Sequence, residues 1–369
     1  MLWLTLVVAG QAKGDTIYAV KDLGVQGREA TGARINERGH VLFGVEAESW
    51  LRPRRHFFWN GDFRLELTWT FTAGFAVDDS GSLVGGRLGP GETTEVFRFT
   101  PANPNQPPDG VIGTLDGSDS RVLAVNNNGV YVGAEGSLLT LKAVYGSSQN
   151  QPVELGTLGG DYSMAVAIND SGRITGFATT GATLEQINQG ASDAEAFIYD
   201  HGQMTGLGTL GGPISYGRAI NESGQIVGDS TLADSWLPSR ESHAFLYDPV
   251  TGMQDIGIPG KFSVAHDIND LGIVAGQEYD PLGLVSPKAF LYDHLSRIQY
   301  LDDLFGSQTQ WTSFRSATGI NNRGQIVGTG LINGEIHIFL ATPVPEPTSL
   351  LLALVATFAA SLRYRRRKD

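Results

Sequence analysis

Seven times along the chain an asparagine or aspartate is followed three residues later by glycine, with apolar residues on both sides. Such self-similarity constrains the fold to a stack of seven copies of one small unit, each burying what its neighbour leaves exposed. The best copies read AINDSGRITG (167–176) and AINESGQIVG (219–228). Looser copies read RINERGHVLFG, AVDDSGSLVG, AVNNNGVYVG, DINDLGIVAG and GINNRGQIVG. The anchors are Asn36, Asp78, Asn126, Asn169, Asn221, Asn269 and Asn321, spaced by about 48 residues. The glycines that follow are Gly39, Gly81, Gly129, Gly172, Gly224, Gly272 and Gly324. A second glycine stands seven places after the anchor in six copies; the first copy is one residue longer and has Gly44.

The local chemistry is that of a hairpin. An Asn or Asp side chain at the first turn position accepts a backbone N–H two residues on. Glycine at the fourth position takes the left-handed conformation of a bulged turn. An Asp/Asn/Gly loop can also ligate calcium, but these loops lack the alternating acidic ligands and distant bidentate glutamate of an EF-hand. No metal site is therefore expected.

Two further strands follow each hairpin. One is aromatic, centred on Phe57, Phe97, Phe197, Phe245, Phe290 and Phe339, with the poorer LLTL in the third repeat. The other ends in Leu-Gly or Ile-Gly, as in VELG and MQDIG. Four short strands in about 48 residues is the period of a propeller blade. The last repeat stops one strand short, and TIYAVKDLG (16–24) reads as the missing strand. Exchange of strands between the termini would remove exposed edges, whereas an open solenoid calls for capping units instead. The expected fold is all-β: a seven-bladed β-propeller of four-stranded blades over residues 13–342, its ring closed by the N-terminal strand. A β-solenoid or another blade count is the alternative. LGTLGG, at 155–160 and 207–212, lacks the G-x-G-x-x-G spacing and no helix follows it, so it reads as a blade junction and not a phosphate loop.

Composition narrows the function. The chain has no cysteine, which excludes disulfides, thiolate metal sites and cysteine nucleophiles. Its net charge is −13, so nothing suggests a nucleic-acid partner. No G-x-S-x-G elbow, P-loop or zincin motif occurs. His56, His243 and His337 read as equivalent residues of three repeats, too far apart around a ring to share a metal, and so as structural. Asp193, Glu195, Asp234 and Glu241 are contributors to consider for a glycosidic carboxylate pair, though solvated loop charge accounts for them as well. No catalytic residue and no cofactor is assigned.

The long, irregular connections lie between second and third strands, at 46–55, 178–195, 230–242 and 277–288. In a propeller these open on the same face as the blade-to-blade loops, and long loops on a rigid scaffold commonly carry function. Trp50, Tyr162, Tyr216, Trp236, Tyr279 and Trp311 belong to this face and form the candidate ligand-binding set for a glycan or other surface polymer; packing of loops onto blades is the competing role. The expected function is an exported, non-catalytic binding or structural protein of the cell surface or exopolysaccharide. A secreted glycan-processing hydrolase or lyase on the same scaffold, and a protein–protein interaction scaffold, are the alternatives.

Both ends of the chain carry apolar segments. Residues 1–12 contain an apolar run (2–9) leading to small residues, as in a secretory signal, but without a basic start. The segment 343–369 runs from Pro345-Glu346-Pro347 through an apolar stretch at 350–362 to Arg365, Arg366, Arg367 and Lys368. Thirteen helical residues rise about 20 Å, so the span is short for a bilayer. The basic cluster marks the cytoplasmic side, placing the body of the protein outside the inner membrane. This tail resembles the PEP-CTERM sorting signal of Gram-negative bacteria. That resemblance implies an exosortase-type membrane protease as partner, a transient inner-membrane anchor, and delivery to the surface or extracellular matrix. The order Leu-Gly-Thr-Leu-Gly-Gly, then Ala-x-x-Ile-Asn-x-x-Gly-x-Ile-Val-Gly, then His-Ala-Phe-Leu-Tyr resembles the HAF extracellular repeat family. It implies export and repeat architecture, and it brings no catalytic residues.

Overall fold

The computed structural model describes residues 17–344, apart from 28–29, 46–54, 63, 68–74, 102–109, 118, 138–139, 182–192, 234–240, 281–284 and 307–309. Trp50, Trp236, residues 1–12, residues 345–369 and most of the long loops lie outside the described residues.

The described residues begin with β1 (Ile17–Gly27) and then build seven four-stranded blades in order. Blade one is β2 (Ala30–Ile35), β3 (Val41–Val45), β4 (Arg55–Trp59) and β5 (Arg64–Leu67). Blade two is β6 (Phe75–Val77), β7 (Leu83–Leu88), β8 (Thr93–Phe99) and β9 (Gly110–Asp116). Blade three is β10 (Arg121–Val125), β11 (Tyr131–Glu135), β12 (Lys142–Ser147) and β13 (Asn150–Gly156). Blade four is β14 (Ser163–Ile168), β15 (Ile174–Thr179), β16 (Ala194–Asp200) and β17 (Gln203–Gly206). Blade five is β18 (Gly211–Ile220), β19 (Ile226–Leu232), β20 (Ser242–Asp248) and β21 (Gly252–Asp255). Blade six is β22 (Phe262–Ile268), β23 (Val274–Tyr279), β24 (Lys288–Asp293) and β25 (Arg297–Tyr300). Blade seven is β26 (Ser313–Ile320), β27 (Ile326–Ile332) and β28 (Glu335–Val344), with β1 as its fourth strand.

No sheet closes on itself. The blades are separate sheets, save for one parallel bridge, Ala194 to Ile214, between blades four and five. Continuity comes from packing. The first strands of neighbouring blades lie side by side all the way round. An apolar cluster fills every blade–blade interface, from Leu42, Phe58, Leu83 and Phe97 between blades one and two to Ala33, Phe43, Val327 and Leu340 between seven and one. The N-terminal strand completes blade seven, with Ile17 opposite Val344 and Lys21 opposite Leu340. Burying both faces of each blade in this way is the main stabilising term.

The repeated motif explains each blade's inner hairpin. In all seven, the motif glycine N–H donates to the anchor carbonyl, and the anchor N–H donates to the residue four places on. All seven glycines hold φ between 70° and 86°, where only glycine is free of strain. The second glycine answers a different need. A Cβ at Gly228 would lie 1.8 Å from the Tyr216 carbonyl oxygen, and one at Gly176 or Gly328 1.9 Å from that of Met164 or Ser316. These approaches occur where the inner strands β14, β18 and β26 carry a bulge.

Two register expectations are corrected. The third strand of repeat three is β12, after LLTL, and Val144 faces Gly133 where the other blades have phenylalanine. The missing ring is offset by Tyr131, fully buried on β11 over Gly113 and Gly146. His56 is not equivalent to His243 and His337. It faces Gly44, eight places after its anchor, whereas His243 faces Ser230 and His337 faces Gly330, both nine places after theirs. Phe43, opposite Phe57, occupies the seventh place in blade one, so the alternation of the strand turns His56 to the other side.

Both LGTLGG stretches lie at blade junctions, one between β13 and β14, the other spanning the start of β18. The Ser163 and Ser215 hydroxyls donate back to the Gly156 and Gly208 carbonyls, each at 2.6 Å. Among the described residues no helix is long and apolar enough to cross a membrane, and the proposed tail span lies outside them.

Candidate functional site

The ring has two unlike ends. At one, the hairpin face, the seven inner turns converge on a cavity of about 300 Å³. Asparagine suits the anchor because its side chain both accepts and donates. The Asn36 Oδ1 accepts the Arg38 and His40 N–H groups at 3.1 and 2.8 Å, which fixes the turn. Its Nδ2 then donates to the Asp78 carbonyl of the next blade at 2.7 Å. The same inter-blade bond runs from Asn126 to Asn169, Asn169 to Asn221, Asn221 to Asn269, Asn269 to Asn321, and Asn321 back to Asn36. Asp78 is the one anchor that cannot donate. Its carboxylate instead takes the Ser82 N–H and an ion pair with Arg98 at 2.5 Å.

A second ring lies outside the first. The residue after each anchor receives, on its side-chain oxygen, the backbone N–H of its counterpart in the preceding blade. The seven links join Glu37, Asp79, Asn127, Asp170, Glu222, Asp270, Asn322 and Glu37 again. Five members are carboxylates, and the two asparagines divide them into a pair and a trio: Asn127 Nδ2 donates to Asp79 at 2.6 Å and to Asp170 at 2.7 Å. The Glu37 carboxyl is pushed above its usual range by burial, with Asp79 and Asp270 adding to the effect. Among the described residues no group of three or more acidic or histidine side chains is arranged to hold a metal ion.

Deeper in the channel the sevenfold pattern breaks. Two places before the anchor stand Arg34 in blade one, Asp267 in blade six, glycine (Gly319) between them in blade seven, and alanine in the other four. Asp267 accepts the Ile320 N–H and its neighbour's N–H, at 2.8 and 2.9 Å. Burial raises its carboxyl to about 6, against the pull of those bonds and of Arg34. Burial likewise lowers Arg34, and the charge of Asp267 opposes the fall.

At the other end, the loop face, the described residues carry aromatic and charged groups from consecutive blades. Tyr162 is buried and stacks on Phe177 at 5.7 Å, and Phe177 meets Tyr216 edge-on at 4.7 Å. Tyr216 lies opposite Asp229, which accepts from Arg218 Nε at 2.6 Å. Tyr279 joins them: its hydroxyl is raised by burial and by the Asp229 charge, with Arg218 opposing. Beside Arg218, burial drives His266 down to about 3, so the ring is neutral at physiological pH, and its Nε2 has no hydrogen-bond partner among the described residues. Of the six aromatics selected from the sequence, Tyr216 and Tyr279 thus lie by Arg218 and Asp229, and Tyr162 joins Tyr216 through Phe177. Trp311 stands apart. It is 8% exposed and packs against Phe314 and Phe339 in the interface of blades six and seven.

Two of the histidines are held by carboxylates. His243 Nδ1 is 2.9 Å from Asp255, and His337 Nδ1 is 3.1 Å from Asp22, each carboxylate also accepting the N–H of a glycine two residues on. Of the loop carboxylates weighed for catalysis, Glu195 accepts the Gly208 N–H, Glu241 accepts the Gly260 N–H, and Asp193 gives its backbone carbonyl to Thr180; Asp234 lies outside the described residues.

Comparison with known proteins supports the fold. Residues 147–257 match a family described as "Protein of unknown function (DUF3466)". No curated protein matches the chain. Among solved structures, the β-propeller domain of the Trilobed protease from Pyrococcus furiosus, described as having an open velcro topology, is 12% identical with a TM-score of 0.56, covering 85% of this chain and 92% of that one. A puromycin-hydrolyzing peptidase of Mycobacterium tuberculosis (10% identity, TM-score 0.52) covers 82% of this chain and 50% of its own. A prolyl endopeptidase (8% identity, TM-score 0.54) covers 86% and 50%. The chain therefore spans about half the length of these two peptidases, and the likeness is one of β-propeller scaffold alone.

Proposed function

We propose that this chain is an exported, non-catalytic propeller that binds a glycan or another surface polymer on its loop face. One observation carries the reading. Two adjacent blades, five and six, bring Tyr216, Arg218, Asp229 and Tyr279 together, and two tyrosines with a paired guanidinium would offer stacking faces and polar contacts to a sugar. Trp50 and Trp236, in the long second-to-third-strand connections of the sequence, are included in the proposed set. The segment 343–369, with Pro345-Glu346-Pro347, its apolar run and its basic end, serves as a sorting and anchoring signal for an exosortase-type protease. The mature protein then resides at the surface or in the exopolysaccharide of a Gram-negative cell.

Titration of the protein with exopolysaccharide from the producing cells tests the reading. Tyr216→Ala and Tyr279→Ala are each expected to weaken binding about tenfold, the scale of one lost aromatic stacking contact. Unchanged affinity in both removes the site. Release of new chain ends from the polymer would replace the binding role with the hydrolase or lyase reading.

A further inference from the structure

The path of the strands fixes where the chain's ends leave the ring. First and third strands both run toward the hairpin face, since each ends in a turn there. β28 is the third strand of blade seven and ends at Val344. The Gln325 side chain, next to the inner turn of that blade, donates to Thr342 at 3.2 Å, so the end of β28 lies beside that turn. Ile17, where β1 begins, is paired with Val344. Both ends of the body therefore emerge side by side on the hairpin face, where blade seven would otherwise have its outer turn.

The neighbouring outer turns on the same rim share one construction. In blade six the Asp293 carboxylate accepts the Leu295 and Ser296 N–H groups; in blade five Asp248 accepts those of Val250 and Thr251. Each carboxylate is turned inward to its own loop, and the apolar residue stands at the tip: Leu295 and Val250 are each 91% exposed. Leu271, on the inner turn of blade six, is 72% exposed on the same face. Going round the rim, blades five, six and seven present Val250, Leu295 and then the two chain ends.

We infer that this sector of the hairpin face rests against a lipid bilayer, leaving the loop face turned away from it. The inference depends on the reading of residues 350–362 as a membrane segment. Only five residues separate Val344 from Leu350, and five residues reach at most about 18 Å when fully extended. A tether this short holds the rim of blades five to seven at the interface, where protruding leucine and valine side chains gain by leaving water. The carboxylates of the outer ring line the central cavity, and Asp270 is the one that adjoins an apolar residue of this sector, Leu271. While the tail is attached, the molecule would hold its loop face away from the bilayer.

The absence of native cysteine makes the orientation measurable. Full-length Leu295→Cys and Asp161→Cys, the latter exposed in the junction before β14 on the loop face, are labelled with an environment-sensitive fluorophore and reconstituted into phosphatidylethanolamine–phosphatidylcholine vesicles carrying nitroxide lipids. Flotation is measured in parallel. The expected result is that both variants float and that the Leu295 label is quenched at least threefold more than the Asp161 label. Floating protein with equal quenching, or stronger quenching at Asp161, overturns the orientation while leaving the anchor intact. Protein that does not float overturns the anchor reading and the orientation with it.

Discussion

The hairpin face and the loop face are built from the same seven repeats and obey opposite rules. At the hairpin face every blade repeats one turn, with an anchor side chain, a left-handed glycine and, in six blades, a hydrogen bond to the next blade. At the loop face the connections differ in length and composition from blade to blade. Repetition marks the part that holds the ring together, because each turn must satisfy its neighbour's backbone. Variation marks the part freed from that duty.

Several substitutions would break or sharpen this contrast. Trp311 belongs to the loop end by its place in the chain, yet it packs in the core, so Trp311→Ala should cost about 4 kcal/mol in urea unfolding, with little change in polymer affinity. Gly228→Ala sets a Cβ against the Tyr216 carbonyl and should cost about 3 kcal/mol. Asn221→Ala orphans the Gln225 N–H and the Asn269 carbonyl and should cost about 2 kcal/mol by the same measurement. Asp78→Asn loses the ion pair with Arg98 while supplying the one missing inter-blade donor, so its stability should stay within about 0.5 kcal/mol of the parent.

The pH profile separates the channel from the rim. Asp267, at about 6 in the folded chain against an ordinary 3.8, holds its proton more tightly when folded. Its burial therefore carries no penalty below about pH 3.8, a growing one between 3.8 and 6, and a full one above. His243 is raised, chiefly by its bond to Asp255, so its contribution is complete below 6.5 and fades as pH rises through the folded value. Asp255 is lowered by its bonds to His243 and Gly257, acting against its burial, and its contribution is lost only as pH falls below the ordinary range. Thermal melts should accordingly show greater stability near pH 5 than near pH 8. Asp267→Asn should flatten the slope between pH 4 and 6 and leave the one above 6.5.

Much of this was legible in the residues, for local reasons. Asn-x-x-Gly between apolar residues specifies its own turn, and counting strands after the last copy called for the pairing that β1 makes with β28. What escaped was whatever depends on the ring being a ring. The residues after the seven anchors are all acidic or amide, yet only the circular packing turns them into a continuous hydrogen-bonded rim. Arg34, Gly319 and Asp267 look unrelated until blades one, seven and six adjoin. The offset of His56 follows from one inserted residue in the first repeat, and the third strand of repeat three was hidden because Val144 stands where phenylalanine served as the marker. Trp311 was drawn to the loop face by its neighbourhood in the sequence; the cavity it fills between two blades is a tertiary fact.

The division of labour between the two faces is tested most directly by one titration series of exopolysaccharide against the parent, Tyr216→Ala with Tyr279→Ala, and Asn221→Ala, each with its melting curve. The paired tyrosine variant should lose at least tenfold in affinity while its melting stays close to that of the parent. Asn221→Ala should melt several degrees lower and bind as the parent does. Loss of binding in Asn221→Ala, with the tyrosine variant binding normally, would contradict the account.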